Sequence, residues 1–189
     1  MRNNFLILGI FAVLCCKAQQ QVLPLNNSAF SSPNNSYFKD SNNELDYYVG
    51  TWTSNFENKE IKLVIVKEVK KPFEMWKKNF YTDELRVRYE IKKNGIVSES
   101  TLNKDFTNDI KLSIDGSKTQ DNGNRITLIF AGGNCSVGIG TIVLKKNDVN
   151  QLSWGYYPGT ATMNDISCPP NLDYTVYLPE TENLVFTKQ

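Results

Sequence analysis

The chain has 189 residues, with 21 basic and 20 acidic side chains and no histidine. This near-neutral charge lacks the basic excess that nucleic-acid binding usually needs. The missing histidine excludes Ser-His and Cys-His catalytic pairs, the commonest zinc sites and the usual general base near pH 7. We therefore expect a protein that is not an enzyme and that holds neither a cofactor nor a metal.

Residues 1–18 have the order of a secretory signal peptide, with Arg2 before an apolar run over residues 5–14 and small residues after it. The run is too short to span a bilayer. Two kinds of processing remain open, namely cleavage after Ala18 and lipidation of Cys16. Either predicts an exported chain, in the periplasm, outside the cell or in the outer membrane as a lipoprotein. Membrane contact would come only through the N-terminal lipid.

Residues 19–43 are rich in Asn, Ser, Gln and Pro, which predicts a polar, loosely packed N-terminal arm. Removal of the 18-residue signal leaves a length typical of one domain. We expect a single β domain over residues 44–189, and we expect it to be a monomer.

Short apolar segments with a period of two follow one another along this domain and predict strands. In the clearest case, residues 85–92, apolar and charged side chains alternate. Asn94-Gly95 comes next, which is the strongest short hairpin signal. The predicted strands cover residues 45–52, 61–66, 85–92, 96–101, 110–114, 126–130, 137–144, 151–154, 174–178 and 184–186.

Two segments interrupt this rhythm. Phe73, Trp76 and Phe80 have helical spacing after Pro72, which predicts one short helix within residues 72–81. Residues 115–124 are polar and rich in turn formers, and they indicate a hairpin loop rather than a calcium site. The whole pattern predicts an all-β antiparallel meander of nine or ten strands, with a lipocalin-like barrel favoured over a β-sandwich.

Cys135 and Cys168 are the cysteines that remain after ordinary signal cleavage. Two cysteines in an exported protein most often pair, and both lie in turn-rich stretches whose backbone can meet disulfide geometry. We predict a Cys135–Cys168 bridge.

Aromatic residues carry the positive functional signal. Trp76, Trp154, Tyr156 and Tyr157 are candidates to bind a small apolar or amphipathic ligand, and packing in the core is the alternative. An envelope interaction or adhesion domain is a second hypothesis. A glycan hydrolase that uses carboxylates alone is a third, although the spacing of the acidic residues singles out no pair.

Gly50-Thr51-Trp52 on the first strand of the domain resembles the opening of lipocalins and fatty-acid-binding proteins. The resemblance implies that Trp52 closes the barrel floor beside Gly50, with a basic residue such as Lys188 packed over the ring. Asp173-Tyr174, with Tyr177 three residues later, resembles the second lipocalin motif.

The chain as a whole resembles an uncharacterised family of short secreted Bacteroidetes proteins, catalogued as a domain of unknown function. This resemblance spans nearly the full length and implies no activity and no site. It rests on the signal that ends in Cys-Lys-Ala-Gln, on residues 35–40, 42–45 and 48–52, and on the final Phe186-Thr187-Lys188-Gln189.

Overall fold

A computed structural model describes residues 19–161 and 168–189. The predicted signal peptide at residues 1–18, with Cys16, lies outside the described residues. The strands are β1 (Val22–Pro24), β2 (Tyr37–Lys39), β3 (Gly50–Phe56), β4 (Lys59–Met75), β5 (Lys78–Lys93), β6 (Ile96–Ser100), β7 (Ile114–Gln120), β8 (Arg125–Phe130), β9 (Gly140–Asp148), β10 (Gln151–Pro158) and β11 (Leu184–Lys188). Two 3₁₀ turns cover Asp46–Tyr48 and Asn134–Ser136.

Eight of these strands close an antiparallel barrel. They follow the order β5-β4-β3-β11-β10-β9-β8-β7, and β7 pairs back with β5 through Leu85 to Val87. The predicted all-β antiparallel class and the preference for a barrel over a sandwich are confirmed. The described residues contain eleven strands rather than nine or ten. Three lie outside the closed ring, since β1 and β2 continue the sheet from one end of β5 and β6 pairs with its other end.

Large side chains fill the barrel interior. Successive residues of a strand point to opposite faces, so every second residue of each barrel strand points inward. Removal of these side chains from water is the main stabilising contribution, at about 1.5–3 kcal/mol for each large apolar residue. The largest fully buried side chains include Trp52, Trp154, Tyr48, Tyr89, Tyr156, Phe130 and Phe186.

The N-terminal segment packs more closely than its composition predicts. β1 pairs in parallel with β2, and β2 pairs in parallel with the start of β5. Leu25, Tyr37 and Phe38 are buried. The prediction of a loosely packed arm is wrong for these residues, because a few apolar side chains spaced along a polar segment suffice to attach it to the sheet.

The helix predicted within residues 72–81 is also wrong, since this segment is the outer end of the β4–β5 hairpin. Phe73 pairs with Phe80 across the hairpin, with ring centroids 5.4 Å apart. The seven-residue spacing that resembles two helical turns therefore arises from a cross-strand pair on either side of a two-residue turn. Two further predictions differ from the structure. Most of residues 115–124, which were predicted to form a hairpin loop, belong to β7, and residues 174–178, which were predicted to form a strand, do not form one.

In the part of the chain that the structure describes, no helix has the length and apolar character needed to cross a membrane.

Candidate functional site

The four candidate aromatic residues do not form one surface. Trp154 and Tyr156 are 0% and 2% exposed and belong to the core. The Trp154 indole donates to the Pro179 carbonyl oxygen at 3.1 Å, and the Tyr156 hydroxyl donates to the Gly138 carbonyl oxygen. Tyr157 is 46% exposed and lines a small polar pocket of about 170 Å³. Only Trp76 lies at an apolar concavity.

That concavity is a groove of about 530 Å³ on the outside of the barrel. One wall is the N-terminal segment at residues 26–29 with the Lys118 side chain that is hydrogen-bonded to it, and the second is the outer end of the β4–β5 hairpin. The floor comes from the rest of β7 and from β8. The volume falls within the range of small-molecule sites. The apolar lining consists of Ala29, Phe38, Phe73, Met75, Trp76 and Ile129.

The turn that carries Trp76 has an unusual sequence for its conformation. Trp76 and Lys77 both have positive φ, at 51° and 61°, as in a type I′ turn. Such turns prefer Asn-Gly, which stands at the matching turn between β5 and β6 with φ of 53° and 77°. A left-handed conformation costs a residue other than Gly, Asn or Asp about 1–2 kcal/mol. Backbone strain of this kind concentrates at functional positions.

A lysine supplies the positive charge in the groove wall. The Lys118 ammonium donates to the carbonyl oxygens of Leu25 and Asn27 at 2.9 and 2.8 Å, and it lies 5.4 Å from the centroid of the Phe38 ring. Burial lowers the pKa of Lys118. Both acceptors are uncharged, so an anionic group placed at this wall would gain a favourable interaction with the ammonium group.

Glu84 is the acidic residue of the groove lining. Burial raises its pKa, opposed by a hydrogen bond and ion pair with Lys71 on β4. Because Lys71 partly compensates this carboxylate, the negative charge of Glu84 does not cancel the attraction of Lys118 for an anion.

A buried polar network fixes the N-terminal wall to the barrel. Asp83, at the start of the barrel portion of β5, is 2% exposed. One carboxylate oxygen accepts from the Tyr37 hydroxyl at 2.5 Å and from the Lys70 N–H at 2.9 Å, and the other accepts from the Asp40 N–H at 2.9 Å. The Asp40 carboxylate in turn pairs with Lys67 at 2.8 Å. The Asp83 carboxylate thus joins the segment before β3 to β4 at Lys70, where the pairing of β4 with β5 has a bulge.

Lys188 makes the contact with Trp52 that the lipocalin resemblance implies. The Lys188 ammonium lies 5.1 Å from the Trp52 ring, and the indole donates to the Tyr48 carbonyl oxygen at 2.8 Å. Gly50 has φ of 138°, and a Cβ there would lie 2.8 Å from Lys188 Cε. The positive φ is the main reason for glycine at this position, since the flexible Lys188 side chain could move away from a Cβ.

The two cysteines form the predicted pair, with Cα atoms 5.9 Å apart and a sequence separation of 33 residues. This Cα distance lies within the usual range for a disulfide. The bridge ties the segment after β10 to the turn between β8 and β9, at the opposite end of the sequence from the arm that forms the groove.

Among the described residues that line the groove, Glu84 is the only acidic one, so the groove contains no pair of carboxylates. Asp83 belongs to the buried network, Glu90 pairs with Lys92 at 3.1 Å, and Glu99 accepts from the Tyr89 hydroxyl at 2.7 Å. Across residues 19–161 and 168–189, no three Asp, Glu or Cys side chains are grouped as a metal site would require.

Sequence reasoning missed the groove because its walls come from distant parts of the chain. It selected Trp76 but not Phe38, Lys118 or Ile129. The apolar residues of the arm were the available signal, since Leu25 and Phe38 have no reason to occur in a freely solvated tether.

The fold and these contacts define the protein as a closed eight-stranded antiparallel β-barrel with an external apolar groove. The chain belongs to a family of unknown function (DUF6705), whose model matches residues 1–189. No curated protein and no solved structure gives a significant match to the chain.

Proposed function

We propose that this protein is an exported binding protein that holds a small amphipathic ligand, with an apolar body and an anionic head group, in the groove outside the barrel. The observation that carries the proposal is the apolar groove of about 530 Å³ with Lys118 in its wall. The ligand's apolar part would contact Phe38, Phe73 and Ile129, and its head group would lie near the Lys118 ammonium.

The packed barrel interior supports a site on the outside. Trp52, Trp154 and Tyr156 point into the barrel and leave the interior to side chains, in contrast to carriers that enclose their ligand. The packing of Lys188 over Trp52, beside Gly50, supports a lipocalin-like origin for the barrel. The Cys135–Cys168 pair supports the export predicted from residues 1–18, because disulfides persist mainly in oxidising compartments.

Dodecanoate is a suitable probe, since it combines one alkyl chain with a carboxylate. Trp76 is 61% exposed while Trp52 and Trp154 are fully buried. Ligand binding in the groove should therefore shift the tryptophan emission to shorter wavelength through Trp76. Titration calorimetry on the same samples gives the affinity.

A matched pair of variants tests the location. Ile129 and Val185 are both exposed apolar residues on barrel strands, but only Ile129 lines the groove. Ile129→Lys should weaken dodecanoate binding about 10-fold to 100-fold, through the loss of roughly 1.5–3 kcal/mol of apolar contact, and Val185→Lys should not. Lys118→Met should weaken dodecanoate more than dodecanol. The proposal would be refuted if Ile129→Lys and Val185→Lys weakened dodecanoate binding equally, or if the wild-type protein did not bind dodecanoate.

The alternative, an envelope interaction domain without a small ligand, is favoured by one observation. Phe30 and Trp76 are 74% and 61% exposed and contact each other edge to face, with ring centroids 5.5 Å apart. Under this alternative the emission shift would require an envelope component rather than dodecanoate.

A further inference from the structure

The outer end of the β4–β5 hairpin places large apolar side chains in water. Phe30, from the N-terminal segment, and Trp76, from the turn, are exposed and pack against each other. Met75 beside them is also exposed. We call Phe30, Met75, Trp76, Lys77 and Lys78 the hairpin tip. Apolar surface of this kind is stabilised when a partner removes it from water.

The hairpin around this tip is positively charged. Residues 69–82 contain four lysines and one glutamate. Lys70 packs over the Tyr81 ring at 5.4 Å, Lys71 pairs with Glu84, and Lys77 at the turn is exposed. Tryptophan and phenylalanine next to lysines form the combination that proteins present to the interface of anionic bilayers.

The start of the described chain lies at the same end of the molecule. β1 and β2 run parallel to β5, with the beginning of β1 level with Tyr81. The Gln20 side chain donates to the Asn35 carbonyl oxygen at 3.0 Å, and the Asn35 N–H donates to the Asn79 carbonyl oxygen at 2.7 Å. Asn79 is three residues from Trp76, or about 10 Å along a strand.

We propose that the hairpin tip docks on the surface of an anionic lipid bilayer, with Phe30 and Trp76 in the interface and Lys77 and Lys78 near the lipid phosphates. This orientation suits a lipidated N-terminus. A lipid on Cys16 would be four residues from Gln20, a span of at most about 14 Å. The proposal goes beyond ligand binding, because the groove can bind a dissolved ligand whether or not the tip touches a membrane.

The test uses the processed protein and vesicles of phosphatidylethanolamine and phosphatidylglycerol whose acyl chains carry bromine, a quencher of nearby indoles. Trp76 emission should be quenched on binding. A variant with Trp76→Phe and Tyr157→Trp moves the exposed indole to another surface of the barrel and should bind with little quenching. This comparison works for a lipid-anchored chain as well as for one without a lipid.

Two substitutions that leave the groove lining intact separate this proposal from the proposed function. If the processed chain carries no lipid, Lys77→Gln should weaken binding to anionic vesicles about fivefold and leave binding to phosphatidylcholine nearly unchanged, and Phe30→Ser should weaken both. If the processed chain carries a lipid, the same two variants should lower the quenching of Trp76 instead. Both variants should keep the wild-type affinity for dodecanoate. Absent quenching of Trp76, equal quenching at position 157, or vesicle effects confined to Ile129→Lys would overturn the docking proposal.

Discussion

Replacement of Asp83 by alanine should detach the N-terminal segment from the barrel. The carboxylate accepts three hydrogen bonds, from the Tyr37 hydroxyl and from the N–H groups of Lys70 and Asp40. Hydrogen bonds to a charged group contribute about 1.5–3 kcal/mol each, and the substitution leaves two buried donors, those of Tyr37 and Asp40, and the part-buried Lys70 N–H without their acceptor. Water that enters the space offsets part of this loss.

We therefore expect the free energy of unfolding to fall by about 3–5 kcal/mol, as is typical when one member of a buried charged network is removed. For a domain of this size that corresponds to a decrease in Tm of about 6–20 °C. Urea unfolding gives the free energy. Hydrogen exchange shows where it is lost, and amides of residues 35–45 should exchange faster than those of β8 to β10.

Tyr37→Phe is the matched control because it removes one donor and leaves the carboxylate and its two backbone partners in place. It should cost about 1–2 kcal/mol. Asp83→Ala should also weaken dodecanoate binding, since residues 26–29 form a wall of the groove. A change in unfolding free energy below about 1 kcal/mol for Asp83→Ala, or faster exchange throughout the barrel, would refute the role assigned to this carboxylate.

Three further variants test other parts of the fold. Gly50→Ala should lower the unfolding free energy by about 1–3 kcal/mol, measured in urea, because φ is 138° at this position and alanine rarely adopts it; an unchanged value would contradict this. Joint replacement of Cys135 and Cys168 by serine should cost about 3–4 kcal/mol through the 33-residue loop, and thiol labelling of the unreduced, denatured wild type should find neither cysteine reactive. Burial raises the pKa of Glu99 above its ordinary value of 4.5, so ionisation lowers stability as the pH rises above 4.5. Glu99→Gln should therefore reduce the Tm difference between pH 4.5 and pH 7, and an unchanged difference would refute that assignment.

The sequence by itself determined the features that depend on neighbouring residues. Alternation over residues 85–92 and the Asn94-Gly95 turn predicted the hairpin that the structure shows, because side-chain period and turn conformation are local properties. The succession of short strands predicted the all-β class, and Lys188 packs over the Trp52 ring as the resemblance to lipocalins implied. The Cys135–Cys168 pair followed from number and context alone.

Only the tertiary structure decided how distant segments meet. Phe73, Trp76 and Phe80 fit a helix by spacing, but pairing of β4 with β5 offers a continuous ladder of backbone hydrogen bonds, and tertiary context overrides local preference. The composition of the polar arm predicts loose packing, but in the structure Phe38 is buried beside β5. The groove exists because this arm, the hairpin turn, β7 and β8 converge. Contacts between distant segments leave no local pattern in the sequence; those of Lys118 with Leu25 and Asn27 span 93 and 91 positions.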